Sequence, residues 1–191
     1  MSEQATERSF ATLTEGHLAR LRVIAADDRD RFHRARPEYR DRHLATVLAQ
    51  GGALHFLDGT NGVKDLDVWS FYSLIRGTKW PADRRNTHAD FGASSLGRQA
   101  YDLANAPNER TRHNYEKWSK FQGRRVDLLM RALAVALDAD SATAVQAWLK
   151  AGVRKGKGSA RFLAQKAVVL IDPPSRCGEV VWPLASVARP A

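Results

Sequence analysis

The sequence predicts an α/β or α+β fold, because segments with strand patterns alternate along the chain with segments of helical periodicity. Two largely apolar runs, at 66–72 and 125–130, predict strands. Two other segments, at 14–34 and 141–152, space their apolar residues as amphipathic helices do. The chain has 191 residues, of which 43% are hydrophobic, so it is long enough to form a domain with a sizeable core.

These patterns predict one domain rather than several. We expect a flexible, polar N-terminus at 1–10 and a single domain over 11–191. The core of this domain is expected at about 40–130, and a C-terminal helical extension at about 140–191.

The charge and cysteine content narrow the possible partners. The chain has 30 Lys and Arg residues against 21 Asp and Glu, a formal net charge of +9, which favours encounters with polyanions. Cys177 is the only cysteine, which excludes an intramolecular disulfide and a cysteine-based zinc site and fits a reducing compartment. No stretch approaches the ~18 apolar residues of a spanning helix. We therefore expect a cytoplasmic protein with no membrane partner.

The N-terminal half begins with a helix. Its possible N-cap is Thr14, and Pro37 is expected to end it. The apolar run within 38–50 fits either a helix or a strand, since its periodicity does not distinguish them. The strand that contains the two aspartates discussed below is expected to continue to Gly77.

The C-terminal half begins with a long irregular insertion at 78–109, a length that is usually functional or mobile. A strand is expected after Gly123, with a possible continuation as helix. The next helix has a possible cap at Ser141 and a stop at Gly152. The segment 159–171 also has a helical pattern, and turns with a short strand close the sequence.

Two carboxylates one residue apart, Asp65 and Asp67, lie within an apolar run, although Asp is disfavoured in strands. Residues i and i+2 of a strand face the same side, so both aspartates project together while Leu66 and Val68 face a core. Like charges this close favour a cation between them, and Mg²⁺ is the usual one. The pair predicts a metal site. A solvated pair on an edge strand is the alternative.

Two consecutive glycines, Gly51 and Gly52, precede a possible helix at 53–57. Without a Cβ they let the backbone approach a ligand, and the free N–H groups of a helix start favour an anion. The glycines therefore predict a phosphate site, with an ordinary turn as the alternative. His55 is expected to be packed or solvent-facing rather than a ligand.

The glycine pair, "KDLDV" at 64–68 and "RVDLL" at 125–129 together resemble the pattern of the nucleotidyltransferase-fold superfamily associated with DNA polymerase beta. The resemblance covers about 40–130 and is closest to small stand-alone members, including abortive-infection and toxin-type enzymes. Many members have Ser in place of Gly52, and the 12 residues between Gly52 and Asp65 are slightly more than is usual. The resemblance implies a nucleotidyltransferase-like mixed β-sheet flanked by helices.

The same resemblance implies a reaction: transfer of a nucleoside monophosphate from a nucleoside triphosphate to an acceptor hydroxyl, assisted by Mg²⁺ (or Mn²⁺) ions. Asp65 and Asp67 would hold the ions, and Asp127 would complete the site and take the acceptor proton. Asp90 competes for the third position. We favour Asp127, because a strand holds a ligand more rigidly than a Gly-rich loop does.

The predicted nucleotide-binding residues are Gly51, Gly52, Lys64 and Arg125. Arg125 alternates onto the face of the third carboxylate, where a guanidinium could bind phosphate oxygens. Arg124 is expected to be a solvated charge.

Two aromatic residues, Trp69 and Phe71, share the face of the aspartates and could stack on a base. Core packing is the favoured role for both. The segment 152–160, "GVRKGKGSA", misses the spacing of a P-loop, and the motifs of metalloproteases and serine hydrolases do not occur.

Three classes of function remain open on the sequence alone. The first is a nucleotidyltransferase whose acceptor is a small molecule, a protein or an RNA end. The second is a catalytically idle relative that serves as a binding or antitoxin module. The third is a basic nucleic-acid-binding protein that uses 150–166, a segment with six basic residues and no acidic one, to contact phosphates.

Overall fold

The computed structural model describes residues 12–59, 62–81, 86–156 and 158–183, so the expected flexible segment at 1–10 lies outside the described residues. The strands are β1 (His43–Ala49), β2 (Leu66–Ser73), β3 (Asn86–Asp90), β4 (Arg125–Leu133), β5 (Ala167–Asp172) and β6 (Val180–Trp182). The helices are α1 (Glu15–Ala35), α2 (Gln50–Asp58), α3 (Glu109–Trp118), α4 (Ser141–Lys155) and α5 (Gly158–Leu163). Short 3₁₀ helices occupy Pro37–Arg42 and Pro174–Arg176.

The six strands form one mixed sheet in the order β3-β4-β2-β1-β5-β6. The central pair β2 and β4 is parallel, and the other neighbouring pairs are antiparallel. A mixed sheet with flanking helices confirms the predicted α+β class.

Helices cover both faces of this sheet. On one face, Leu21 of α1 lies in an apolar cluster with Leu66 of β2. On the other, Leu149 of α4 and Leu163 of α5 lie in a second cluster with Phe71 of β2. Each such side chain removed from water contributes about 1.5–3 kcal/mol to folding, so β2 is held between two apolar layers.

Helix α1 starts and ends where the sequence predicts. Thr14 is the N-cap residue, and its backbone N–H donates to Nδ1 of His17 at 3.0 Å. The helix ends at Ala35, two residues before Pro37, as expected from the restriction that proline places on the residue before it.

The ambiguous segment at 38–50 becomes a 3₁₀ helix followed by β1. Six of the seven β1 residues are buried, because this strand lies in the middle of the sheet with helices on both sides. A strand buried on both faces has no polar alternation, which is why its periodicity resembled that of a buried helix.

The centre of the chain differs from the prediction in three ways. β2 ends at Ser73 rather than at Gly77. The supposedly irregular insertion at 78–109 contains β3, and α3 begins at its end. All five residues of β3 are exposed or partly exposed, so this edge strand lacks the apolar pattern by which strands are recognised.

The helix α4 is longer than predicted. Its N-cap is Asp140 rather than Ser141, with the Asp140 carboxylate accepting from the backbone N–H of Thr143 at 2.8 Å. Gly152 lies inside the helix, which continues to Lys155. The possible helical continuation of β4 is also absent, since β4 remains a strand to Leu133.

The expected C-terminal helical extension at 140–191 is correct only in part. α4 and α5 are helical, but the helix predicted over 159–171 ends at Leu163, and β5 and β6 then add to the sheet. Five of the six β5 residues are buried, and its Val-Val-Leu-Ile run suits a strand covered on both faces. No helix in the described part of the chain has the length and apolar character to cross a membrane.

The crossing of α4 and α5 explains the glycine inside α4. A Cβ on Gly152 would lie 2.2 Å from the Cβ of Ala160 and 2.8 Å from the backbone nitrogen of Arg161. The two helices can approach this closely only where one of them has no side chain.

We predict that Gly152→Ala lowers the free energy of unfolding by about 1–3 kcal/mol, because the added methyl group overlaps α5. Gly16→Ala in α1 is the control: its Cβ would meet nothing closer than Oγ1 of Thr14 at 3.5 Å, so stability should be unchanged or rise by up to about 1 kcal/mol. Urea denaturation measures both. Equal midpoints for Gly152→Ala and the wild type would contradict the close crossing.

Candidate active site

Three carboxylates meet at the start of two adjacent parallel strands. β2 and β4 pair in register, so Asp67 lies beside Asp127, and Asp65 precedes Asp67 by one alternation. Paired residues of parallel strands face the same side of a sheet, while Leu66 and Val126 between them are fully buried in the core of the opposite face. The structure thus brings the three predicted aspartates together.

A single guanidinium connects two of these carboxylates. Nη2 of Arg125 donates to Oδ2 of Asp65 at 2.5 Å and to Oδ2 of Asp127 at 3.0 Å. Nε of Arg125 also lies 2.7 Å from Oδ1 of Asp127, a close ion-pair contact that is not aligned as a hydrogen bond. The side chains of Arg125, Asp65 and Asp127 are 12%, 23% and 13% exposed, respectively, so they are largely shielded from solvent. Arg125, which the sequence predicts as a phosphate-binding residue, forms ion pairs with carboxylates in this structure.

An aromatic ring and a histidine complete the surroundings of Arg125. The guanidinium carbon lies 4.2 Å from the ring centroid of Trp118 at the end of α3. β3 pairs antiparallel with β4 so that His88 lies opposite Asp127, and the ring Nδ1 is 2.8 Å from Oδ1 of Asp127. His88 and Trp118 are not among the site residues predicted from the sequence. The signal available in the sequence was strand alternation in "THAD", which places His88 on the opposite face of the strand from its two neighbours.

The pKa values of the two paired aspartates move in opposite directions. Burial, together with the charges of Asp65 and Asp127, raises the pKa of Asp67 to about 7. The cations Arg125 and Lys166 oppose this rise, but Arg125 forms its ion pairs with the other two carboxylates, and no described residue forms an ion pair with Asp67. Asp67 is therefore the carboxylate of the site that forms no ion pair with a described residue.

The pKa of Asp127 lies below its ordinary value. Burial by itself would raise this pKa, but the hydrogen bond from His88 and the charge of Arg125 outweigh burial. Two neighbouring carboxylates thus differ in protonation near neutral pH because only one has partners that favour its charged form.

The start of α2 lies next to Asp67. Ala49, the last residue of β1, pairs with Asp67 on β2, and α2 begins at the following residue, Gln50, which has a positive φ of 60°. A Cβ on Gly51 would lie 4.0 Å from Nζ of Lys166. The free N–H groups of this first turn and the lysine give the side of the site next to Asp67 a positive potential.

The two glycines lie in different surroundings. They form part of the first turn of α2 rather than a turn before a helix. Gly52 is buried, and its Cβ would lie 3.1 Å from Leu48 and 3.2 Å from Leu66. Gly52 therefore serves packing of α2 on the sheet, and only Gly51 is on the side of the site.

A cavity of about 350 Å³ adjoins the carboxylates through Arg125. Its lining residues combine aromatic, amide and charged groups: Lys64, Gln99, Ala100, Tyr101, Asp102, Asn105, Tyr115 and Arg125. The Tyr101 hydroxyl donates to Oε1 of Gln99 at 2.8 Å, and its ring lies 5.2 Å from that of Tyr115. The predicted phosphate-binding residue Lys64 is exposed at this cavity.

A larger cavity of about 710 Å³ lies at the other end of the strands, around Tyr39 and Trp80. It is lined by two cations, one carboxylate and apolar side chains, with no cluster of carboxylates. The smaller cavity is therefore the better candidate for part of the site, because Arg125 both lines it and contacts the carboxylates.

The competing candidate Asp90 does not join the cluster. Its carboxylate accepts from the backbone N–H groups of Gly92, Gln122 and Gly123 at 2.6–2.9 Å. These bonds hold the loop before β4 against the end of β3. Arg124, expected to be a solvated charge, is partly buried and donates to the Leu96 carbonyl at 2.8 Å.

Three other residues near the motifs belong to the core. Trp69 and Phe71 are buried and contact the ring of Trp148 from α4. This agrees with the packing role favoured by the sequence. His55 is fully buried in α2, so it is not available to a ligand.

The oxygen donors suit a hard divalent cation, but one cation already lies among them. Within the described residues no group of three or more His, Cys, Asp or Glu side chains is arranged to hold one metal ion. Asp67, whose pKa is raised by burial and by the two neighbouring carboxylates, fits the requirement best. Asp65 and Asp127 have the right chemistry, with Arg125 as the group that competes for their oxygens.

We predict that Arg125→Met destabilises the protein by about 3 kcal/mol, since Asp65 and Asp127 would lose the cation that they share. Arg176→Met is the control: Arg176 also contacts two carboxylates, Asp140 and Glu179, but with more exposed side chains, and should cost less than about 1 kcal/mol. Adding Asp65→Asn to Arg125→Met should restore part of the loss. Equal effects of the two arginine substitutions would contradict the structural role of Arg125.

We also predict a pH-dependent effect of Asp67→Asn. The folded state holds the proton of Asp67 more tightly than the unfolded chain, so this residue destabilises the fold increasingly as pH rises from about 4 to about 7. At pH 8 Asp67→Asn should be more stable than the wild type, by on the order of 2 kcal/mol, and at pH 4 the two should converge. Asp138→Asn, at an exposed carboxylate, should show no such change in urea denaturation. A constant difference at all pH values would rule out the raised pKa.

Comparison of the chain with protein-family models, with curated proteins and with solved structures finds no match. We therefore infer a function from the geometry and charge of the site alone.

Proposed function

We propose that the protein is a metal-dependent nucleotidyltransferase that transfers a nucleoside monophosphate from a nucleoside triphosphate to a hydroxyl group. The observation that carries the proposal is the in-register pairing of Asp67 with Asp127 on parallel strands, with Asp65 one alternation before. Three converging carboxylates are costly in a fold unless cations bind there. Burial and the charges of Asp65 and Asp127 raise the pKa of Asp67, and Arg125 offsets only part of this rise.

Asp65, Asp67 and Asp127 would hold Mg²⁺ or Mn²⁺, which neutralises charge on the phosphate oxygens and the leaving group. The first turn of α2, at Gly51, and the ammonium group of Lys166 supply positive potential next to Asp67. This side of the site suits the triphosphate, since helix N-termini favour anions.

The nucleoside would occupy the 350 Å³ cavity. The rings of Tyr101 and Tyr115 offer an apolar surface for a base, and the side chains of Gln99 and Asn105 offer hydrogen-bond donors and acceptors. A few polar groups on an aromatic wall are typical of small-molecule sites. Lys64 lies at the same cavity and is free of ion pairs with described residues.

The transfer itself forms one bond and breaks one. The acceptor oxygen bonds to the α-phosphorus, the bond from that phosphorus to the bridging oxygen breaks, and pyrophosphate leaves with the bonding electrons. The hydroxyl proton passes to a carboxylate of the cluster. The sequence favours Asp127 for this step, and its hydrogen bond with His88 would fix its orientation.

The position of Arg125 favours a second candidate, a nucleotide-binding module without catalysis. Arg125 contacts the two carboxylates Asp65 and Asp127 at once, and such a pair leaves fewer oxygens for metal ions. In that case the protein would bind nucleotide at the cavity but would not break the α-phosphate bond.

Transfer of label distinguishes the two candidates. The protein is incubated with each α-³²P-labelled nucleoside triphosphate, Mg²⁺ or Mn²⁺ and cell extract as the source of acceptor. We expect label in a macromolecule or small acceptor with the wild type and at least 100-fold less with Asp67→Asn, by the usual loss on removing a group that stabilises the transition state. Nucleotide binding without transfer by the wild type would favour the module.

The metal step gives a further prediction. Because the ion must displace the proton of Asp67, the apparent Mg²⁺ affinity should rise by up to about tenfold per pH unit below pH 7 and level off above it. Calorimetry in buffers with different ionisation enthalpies measures the released proton. Asp67→Asn should lose this pH dependence, whereas Asp138→Asn should retain it. Binding of Mg²⁺ that does not vary with pH would contradict a role for Asp67.

A further inference from the structure

The surface formed by α4, α5 and the turn that follows α5 is strongly positive. Five basic side chains are exposed on it, and we call them the basic surface: Lys150, Arg154, Lys155, Arg161 and Lys166. The chain has no acidic residue between Asp140 and Asp172, and no described residue forms an ion pair with any of the five. Their positive charge is therefore not neutralised by ion pairs with described residues, and the charge of Lys166 also acts on Asp67 of the neighbouring site.

An aromatic side chain stands out of the same surface. Phe162 of α5 is 55% exposed and lies next to Arg161, and Val153 of α4 is 48% exposed. An exposed aromatic ring among cations is the arrangement on which proteins stack unpaired bases. The close contact of α4 with α5 is made by Gly152 and Ala160. Packing of the two helices therefore does not explain why Phe162 is exposed.

The basic surface borders the acidic site. The carbonyl of Phe162 accepts from Nε2 of Gln50 at 2.6 Å, and Gln50 is the first residue of α2. Nζ of Lys166 lies 4.0 Å from the Cβ position of Gly51, and its charge lowers the pKa of Asp67. A polyanion on α4 and α5 would therefore extend toward the carboxylates.

We propose that single-stranded nucleic acid binds across the basic surface, with its phosphates on the five cations and one base stacked on Phe162. A duplex would hide its base faces from Phe162, whereas an unpaired base presents one. A membrane would require a continuous apolar helix face, and among the described residues of α4 and α5 only two large apolar side chains, Val153 and Phe162, are exposed. This binding needs neither metal nor nucleotide, so it is independent of the proposed transfer.

Fluorescence anisotropy with a labelled 12-nucleotide oligouridylate in EDTA tests the proposal. Each phosphate contact with single strands contributes about −0.7 to the slope of log affinity against log salt. Five contacts predict a slope of about −3 to −4, or roughly 100-fold weaker binding at 200 mM than at 50 mM KCl.

Two substitutions separate stacking from charge. Phe162→Ala should weaken binding by about 5- to 100-fold without changing the salt slope. The double substitution Arg154→Gln and Lys155→Gln should reduce the slope by about 1.4 as well as the affinity. Matched controls on α1, on the opposite face of the sheet, are Val23→Ala and Arg34→Gln, both at exposed residues. Neither should change binding.

Three results would overturn the proposal. They are unchanged binding with Phe162→Ala, equal or tighter binding of a 12-base-pair duplex, and preferential binding of phosphatidylglycerol vesicles over the oligonucleotide. Asp67→Asn should bind the oligonucleotide as the wild type does. A variant that binds but transfers no label would therefore separate this surface from the proposed enzyme activity.

Discussion

The ion pairs of Arg125 with Asp65 and Asp127 are the interaction on which the arrangement of the site depends. In-register pairing of β2 with β4 puts the Asp67 and Asp127 carboxylates next to one another, and repulsion between them would oppose the pairing. Arg125 sits on β4 two residues before Asp127, so the same strand that supplies a carboxylate also supplies its counter-ion. The ring of Trp118 supports the guanidinium from the side, and such contact is strongest where water is excluded.

The residues that surround Arg125 come from the segment between β2 and β4. β3 brings His88 opposite Asp127, α3 brings Trp118 to the guanidinium, and Tyr101 lines the adjoining cavity. A segment that lacks strong apolar periodicity thus provides most of the environment of the carboxylates. The edge strand β3 therefore does two things: it extends the sheet, and its His88 orients the carboxylate of Asp127.

The acidic site borders a region of positive charge. Asp67 faces the first turn of α2 and Lys166, beyond which the basic surface of α4 and α5 begins. Adjacent regions of opposite potential are what the proposed ligand, a nucleotide with its metal ions, would require. The orientation is set by β1, whose last residue, Ala49, pairs with Asp67 and leads directly into Gln50 of α2.

The sequence by itself determined the α+β class, the bounds of α1 and the common face of Asp65 and Asp67, because these follow from local periodicity and strand alternation. It also favoured Asp127 over Asp90, since a strand holds a ligand more rigidly than a Gly-rich loop does. Tertiary structure decided the rest. Pairing of distant strands joined Asp127 to Asp67, an edge position made the polar segment containing His88 a strand, and burial between two helical layers made β1 and β5 strands. Such contacts between distant residues leave no local pattern, so only the folded chain could show that Arg125 is bound to carboxylates and that Gly52 is required for packing.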